Sequence, residues 1–120
     1  MVRVVNRMMN SMFALIVQQI AETERYFHKN NKYQSSSHAW QAIYLINKLE
    51  FSLYPELKQL LMPVRLSIEK IEKRVDDEDW SDFAKSVDEA FSEISIFLSI
   101  AKTDKFLLVS EKVVSQWYPT

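Results

Sequence analysis

The amino-acid sequence predicts an all-α protein, namely an antiparallel four-helix bundle with a short fifth helix at the C-terminus. Apolar residues recur at three- and four-residue spacing in four long segments, which is the pattern of helices with one buried face. Glycine is absent from all 120 residues. Because tight hairpin turns need residues that tolerate a positive φ angle, this composition disfavours a β-rich fold.

Helix 1 is predicted from about Arg3 to Lys29. Its buried stripe consists of Met9, Phe13, Ile16, Ile20 and Phe27. The pair Asn30-Asn31 follows, and asparagine is the residue that most often replaces glycine in the left-handed position at a helix C-terminus. We therefore expect the helix to end there.

Helix 2 is predicted from about Ser37 to Leu53. The run Ser35-Ser36-Ser37 supplies candidate N-caps, because serine hydroxyls accept hydrogen bonds from unpaired backbone N–H groups. The core stripe of this helix consists of Ala39, Ile43, Ile46, Leu49 and Leu53. Pro55 fits the first position of helix 3, where the N–H that proline lacks would be unpaired anyway.

Helix 3 carries an apolar stripe of Leu57, Leu60, Leu61, Val64, Ile68, Ile71 and Val75. Pro63 removes one backbone hydrogen bond and should kink the helix, but the stripe keeps its phase on both sides, which favours one helix over two. The acidic run from Asp76 to Asp79 is the expected turn and cap, since it lacks the spacing and the glycine of a calcium-binding EF-hand.

Helix 4 is predicted from Trp80 to about Lys102. Its apolar residues are Trp80, Phe83, Ala84, Val87, Phe91, Ile94, Leu98 and Ala101. Thr103-Asp104 can cap the short fifth helix, which contains Phe106, Val109, Val113 and Trp117. No internal repeat or linker is evident in the sequence, so residues 1–120 are predicted to form one domain.

The sequence contains none of the common catalytic apparatus. Without glycine there is no Walker loop, dinucleotide-binding loop or nucleophile elbow. Without cysteine there is no disulfide, thiolate metal site or cysteine nucleophile. The two histidines, His28 and His38, lack the partner residues of a catalytic or metal site. Glu24 and His28 are four residues apart, whereas the di-iron signature needs Glu and His three residues apart, and it needs that pair twice. We predict a non-enzyme with no cofactor and no metal.

Charge and hydropathy limit the classes of partner. Residues 1–75 carry an excess of basic side chains and residues 76–120 an excess of acidic ones, which we interpret as complementary helices of one bundle. A nucleic-acid surface would need a much more basic domain. The longest apolar run, from Met12 to Val17, is far shorter than the ~20 residues that span a bilayer. We expect a cytoplasmic protein that binds neither nucleic acid nor membrane.

Helix 2 carries a second apolar stripe of Trp40, Tyr44, Phe51 and Tyr54. Together with the core stripe it gives an apolar arc of about 220°, about twice that of an ordinary surface helix. Either Trp117 of the fifth helix covers this stripe, or the stripe binds an amphipathic or extended segment of a protein partner. Both hold if helix 5 is a movable cover, and self-association through the stripe is a third interpretation.

The segment from Asn31 to Leu53, NKYQSSSHAWQAIYLINKLEFSL, resembles the stretch that joins the first two long helices of the flagellin export chaperones, the FliS family. There an Asn/Asp–aromatic turn precedes a helix with a Leu-x-x-Ser-Leu-like ending, which Leu49 to Leu53 fits. The resemblance covers about residues 12–100. The Pro-rich entry and Leu-Tyr pair of the family's first helix are absent, the connection between helices 2 and 3 is shorter, and Pro63 departs from the pattern.

The resemblance implies a cytoplasmic antiparallel bundle that binds the disordered C-terminal part of flagellin, through apolar residues of helices 2 and 4. Our leading hypothesis is accordingly a non-enzymatic chaperone or adaptor that masks an amphipathic or unfolded segment of a protein partner. Its candidate binding residues are Trp40, Tyr44, Phe51, Tyr54 and Trp117. The alternative is a structural or homo-oligomerising helical subunit of a larger assembly, including a nucleoprotein.

Overall fold

A computed structural model describes residues 2–52 and 55–103, and the side chains of residues 10–51 and 58–100. These residues form four α-helices and no strand: α1 (Val2–His28), α2 (Lys32–Ser52), α3 (Pro55–Asp77) and α4 (Trp80–Thr103). Each helix packs against the next, and α1 also contacts α4, so that the four make a helical bundle. The all-α prediction is confirmed, whereas the predicted fifth helix lies outside the described residues.

One hydrophobic core joins the four helices, and most of the predicted stripe residues lie in it. The Phe13 and Phe97 rings, 5.4 Å apart, connect α1 to α4, and Phe27 stacks on Phe83 at 4.0 Å. Trp80 was predicted as a core residue but is half exposed, with its ring 4.4 Å from that of Phe27.

Two further core predictions were wrong. Leu60 and Ala84 are exposed. Adjacent helical residues point 100° apart, so only one of each adjacent apolar pair can face the centre of the core, and Leu61 and Phe83 take those places. Ala90 and Phe97, which were not among the predicted stripe residues, complete the buried face of α4.

The connection between α1 and α2 contains a single left-handed residue, Asn30, with φ of 57°. This confirms the predicted asparagine ending of α1. However, α2 begins at Lys32, more than a turn earlier than predicted. Its cap is Asn31, whose side-chain oxygen accepts a hydrogen bond from the backbone N–H of Gln34 at 3.1 Å.

The serine run that was predicted to cap α2 lies inside the helix instead. Ser35 is buried against α1, where its hydroxyl donates a hydrogen bond to the carbonyl oxygen of Thr23 at 2.7 Å. The prediction was wrong because the two asparagines end one helix and cap the next without an intervening loop, which leaves no orphan N–H groups for the serines.

The connection between α3 and α4 has the same construction. Glu78 takes the left-handed conformation, with φ of 55°, and the Asp79 carboxylate accepts a hydrogen bond from the N–H of Asp82 at 3.1 Å. In both connections the capping residue also donates its own N–H to a carbonyl five residues back, as in the Schellman motif. The turn-and-cap role is thus confirmed for Glu78 and Asp79, while Asp76 and Asp77 complete α3.

The two connections lie side by side. The ammonium nitrogen of Lys32 is 3.9 Å from the Asp76 carboxylate and 3.8 Å from that of Glu78. Both ion pairs are exposed to solvent, so they contribute little to stability. They do establish that the α1–α2 and α3–α4 turns meet at one end of the bundle.

The two helical hairpins, α1–α2 and α3–α4, bury their side chains in the same register. A shift of 48 positions, the separation of Asn30 and Glu78, carries buried residues onto buried residues. The pairs are Phe13 with Leu61, Ile16 with Val64, Ile20 with Ile68, Thr23 with Ile71, Phe27 with Val75, Ser35 with Phe83, Ala39 with Val87, Ala42 with Ala90, Ile46 with Ile94, and Leu49 with Phe97. No repeat was evident in the sequence because most pairs share only burial, not identity.

α3 runs without interruption through Pro63, which confirms one helix rather than two. The carbonyl of Gln59, which proline leaves without its helical donor, belongs to an exposed residue that water can reach. One turn later, the Ser67 hydroxyl donates to the Pro63 carbonyl at 2.8 Å.

A Glu78→Gly variant should be more stable than the natural chain. The left-handed conformation costs a residue with a Cβ atom about 1 kcal/mol, and it costs glycine nothing. We expect the free energy of unfolding, measured by urea denaturation, to rise by about 0.5–1 kcal/mol. The matched Asn30→Gly variant should gain less, because asparagine tolerates this conformation. A loss of stability on Glu78→Gly would mean that the ion pair with Lys32 outweighs the backbone term.

Candidate protein-binding surface

α2 presents a row of aromatic side chains on the face turned away from the core. Their exposed fractions are 81% for Tyr33, 55% for Trp40, 65% for Tyr44 and 79% for Phe51. We call these four residues the aromatic row. Single exposed apolar residues are common on any protein, but several large ones aligned on one face of a helix are typical of an interaction site.

Three of the five predicted binding residues, Trp40, Tyr44 and Phe51, belong to this row, while Tyr54 and Trp117 lie outside the described residues. Tyr33 is an addition. It was not predicted because the expected start of the helix at Ser37 left it in a loop. Since α2 begins at Lys32, Tyr33 lies two turns before Trp40 and on the same face. Recognition of the Asn31 cap would have found it.

The equivalent face of α4 is polar. At the same 48-position shift, the counterparts of the aromatic row are Ser81, Asp88, Ser92 and Ser99, all of them exposed. The two hairpins therefore combine the same core register with opposite outer surfaces. Because α4 packs into the bundle with serine and aspartate at these outward positions, packing into the bundle does not require aromatic residues at the same positions on α2.

A shallow groove lies at the C-terminal end of the aromatic row, between α2 and α3. Its volume is about 400 Å³, and it is lined by Asn47, Glu50, Phe51, Lys58 and Arg65. Arg65 forms a partly buried ion pair with Glu50 that links the two helices. The groove thus has one apolar side, formed by Phe51, and one charged side with more cations than anions.

α3 carries exposed apolar side chains of its own. Met62 and Leu66, one turn apart on α3, are both exposed. They lie about 60° and 100° round the helix from Arg65, away from the core. Of the ten large apolar side chains exposed in the described part of the chain, seven lie on α2 or α3.

The polar contacts between α1 and α2 involve His38. Its Nδ1 atom lies 2.7 Å from the side-chain oxygen of Gln19, and its ring stacks on Tyr26 with centroids 5.4 Å apart. Arg25 lies over the Tyr26 ring at 4.5 Å. The pKa of this guanidinium is raised, chiefly by its hydrogen bond to the Glu22 carboxylate. The contacts of His38 with Gln19 and Tyr26 join the two helices. His38 lies in the second turn of α2 rather than the predicted first.

The other histidine, His28, lies exposed in the last turn of α1 as predicted, with its ring 5.5 Å from that of Trp80. Among the residues that the structure describes, no three histidine or carboxylate side chains converge as a metal site would require. Nor is any helix there long and apolar enough to cross a membrane.

The fold and the surface together define a helical-bundle protein with an exposed aromatic face. Comparisons with models of protein families, with curated proteins and with solved structures find no match to this chain. Its class of function is therefore inferred from the surface itself.

Replacing Tyr44 by the residue of its α4 counterpart, Tyr44→Ser, should leave stability nearly unchanged. Exposed positions without special contacts usually change the free energy of unfolding by less than about 0.5 kcal/mol. The neighbouring buried substitution Leu49→Ala should cost about 2–5 kcal/mol, because it leaves a cavity. Thermal and urea denaturation of both variants check this. A large destabilisation by Tyr44→Ser would show that the row is packed against another part of the chain.

Proposed function

We propose that this chain is a non-enzymatic protein-binding module, a chaperone or adaptor, whose aromatic row binds an amphipathic or unfolded segment of a protein partner. The observation that carries the proposal is the contrast between α2 and α4. At equivalent positions that are exposed on both helices, α4 has serine and aspartate whereas α2 has tyrosine, tryptophan and phenylalanine.

The residue types of the row suit reversible binding. Tryptophan and tyrosine combine a large apolar area with one polar atom that can stay hydrated, and they are enriched among the residues that dominate binding energy. From Tyr33 to Phe51 the row extends about 27 Å along α2, or five helical turns. A partner helix with apolar residues at positions i, i+3 or i+4, and i+7 matches that length and spacing.

Charge at the end of the row adds a preference. The groove beside Phe51 carries Lys58 and Arg65 against the single carboxylate of Glu50. An acidic side chain flanking the apolar stripe of the partner would therefore be favoured there. Such charges contribute more to orientation and association rate than to affinity.

The proposal includes the antiparallel arrangement of the helices. It is supported by the contacts between α1 and α2: Thr23 pairs with Ser35, and Gln19, one turn earlier, pairs with His38, nearly one turn later. The short connections favour the same arrangement.

The resemblance to flagellin export chaperones suggests one specific form of the partner, a disordered segment kept from premature assembly. The cysteine-free sequence agrees with the cytoplasmic location that this role requires. Because the counterpart face of α4 is polar, we assign partner contact to α2 and the adjoining surface of α3 rather than to helices 2 and 4.

A double variant, Trp40→Asp with Tyr44→Ser, should lose partner binding while it keeps its helical circular dichroism spectrum. Each such anchor residue contributes about 2 kcal/mol or more, so affinity should fall at least about 30-fold. The measurement is quantitative capture of proteins from the native host by the natural chain and by the variant.

The matched control is Asp88→Ala with Ser92→Ala, which alters the equivalent positions of α4. This control should capture the same proteins as the natural chain. Equal capture by the natural chain and by the folded Trp40→Asp, Tyr44→Ser variant would refute the proposed binding surface.

A further inference from the structure

The outer face of α2 has the spacing of a coiled-coil seam. Starting at Tyr33, its residues follow at alternating intervals of four and three: Tyr33, Ser37, Trp40, Tyr44, Asn47 and Phe51. This alternation is the repeat with which one α-helix packs along another over several turns. The repeat lies on the side of α2 opposite its core, where no helix of the described bundle uses it.

The chemistry of this seam is the same when it is followed in either direction. Counted outwards from the midpoint at Ala42, the pairs are Trp40 with Tyr44, Ser37 with Asn47, and Tyr33 with Phe51. Each pair joins two aromatic residues or two neutral polar residues. A two-fold axis perpendicular to α2 at this midpoint would therefore place aromatic opposite aromatic and polar opposite polar in two identical chains.

We infer that a second copy of this chain occupies the seam, with the two α2 helices antiparallel about a two-fold axis near residue 42. Contacts of this kind are isologous, meaning that the same patch is used by both copies, and they need a self-complementary surface. The inference goes beyond the proposed function, because the second copy closes the aromatic row when no partner segment is bound.

The charges that flank the seam are compatible with this pairing. On one side, Gln41 lies opposite its own equivalent, and Lys48 lies opposite Gln34 of the second copy. On the other side, Glu50 lies opposite Ser36 of the second copy. Like charges therefore do not face each other. The seam residues themselves are uncharged, so pairing with an identical chain leaves no charge in the seam without a counter-charge.

The exposed area is sufficient for a reversible dimer. Aromatic side chains bury about 150–250 Å² each, so the four members of the row, each more than half exposed, offer on the order of 500 Å² per copy. The two copies together reach about 1,000 Å², which lies below the roughly 1,200–2,000 Å² of stable specific interfaces and within the range of weak, transient ones. A dimer of this size can dissociate, so a partner segment would compete with the second copy for the row.

Sedimentation velocity of the full chain between about 1 and 100 micromolar tests the pairing. The natural chain should change from monomer to dimer over this range, and the α4 control with Asp88→Ala and Ser92→Ala should do the same. The variant with Trp40→Asp and Tyr44→Ser should stay monomeric throughout. A natural chain that stays monomeric, or a row variant that still dimerises, would overturn the inference.

Cross-linking tests the antiparallel register, and the natural chain has no cysteine to interfere. In the variant Gln41→Cys the two thiols lie close together across the two-fold axis. In the matched control Gln34→Cys, two turns away on the same flank, they lie about 24 Å apart along the helix. A short bismaleimide should therefore cross-link the first variant into a dimer and not the second. Equal cross-linking of both would overturn the antiparallel arrangement.

The outcomes for the two proposals are distinguishable. A monomeric natural chain that captures a host protein through Trp40 and Tyr44 would refute self-pairing and leave the proposed function intact. A dimer that captures no protein through the row, even after dilution to monomer, would refute the proposed function and leave self-pairing intact.

Discussion

The two helix connections determine the register of this bundle. In each, one left-handed residue ends a helix and the next residue caps the following one, so the two helices follow each other without an intervening loop. Because Asn31 caps α2 so early, Ser35 reaches the carbonyl of Thr23 inside the α1–α2 contact. That contact sets the rotation of α2 about its own axis. With Ser35 facing α1, Trp40 and Tyr44 face solvent.

The repeated hairpin explains how one fold can hold two different outer surfaces. The buried positions of α1–α2 and α3–α4 coincide, and they are filled by apolar residues at all but two of the paired positions, Thr23 and Ser35. The hydrophobic effect acts on the apolar area removed from water, and it leaves the outward positions free to vary. On α4 those positions carry serine and aspartate, and on α2 they carry the aromatic row. The difference is therefore a property of the surface and not of the core.

α2 is apolar on two sides, and only its inner side is packed into the bundle. We propose that its outer side is covered by a partner segment or by a second copy. The same interaction would stabilise either complex, because each removes aromatic surface area from water along a seam with three- and four-residue spacing. The two proposals differ in symmetry. Only pairing with a second copy requires the residue types of the seam to match when the seam is followed in either direction.

The sequence by itself determined the helical class, the four helical segments, the asparagine ending of α1 and most of the buried stripes. These follow from local physics, namely the 3.6-residue period and the scarcity of residues that adopt left-handed conformations. The tertiary structure decided where α2 begins, because the choice between Asn31 and the serine run depended on whether Ser35 had a partner on α1. It also excluded Leu60 and Ala84 from the core, and it revealed the repeat that no sequence identity marked. The three predicted row residues that the structure describes were found from spacing, and Tyr33 would follow from recognition of the Asn31 cap. The polar counterparts on α4 emerged only once the helices were set in register.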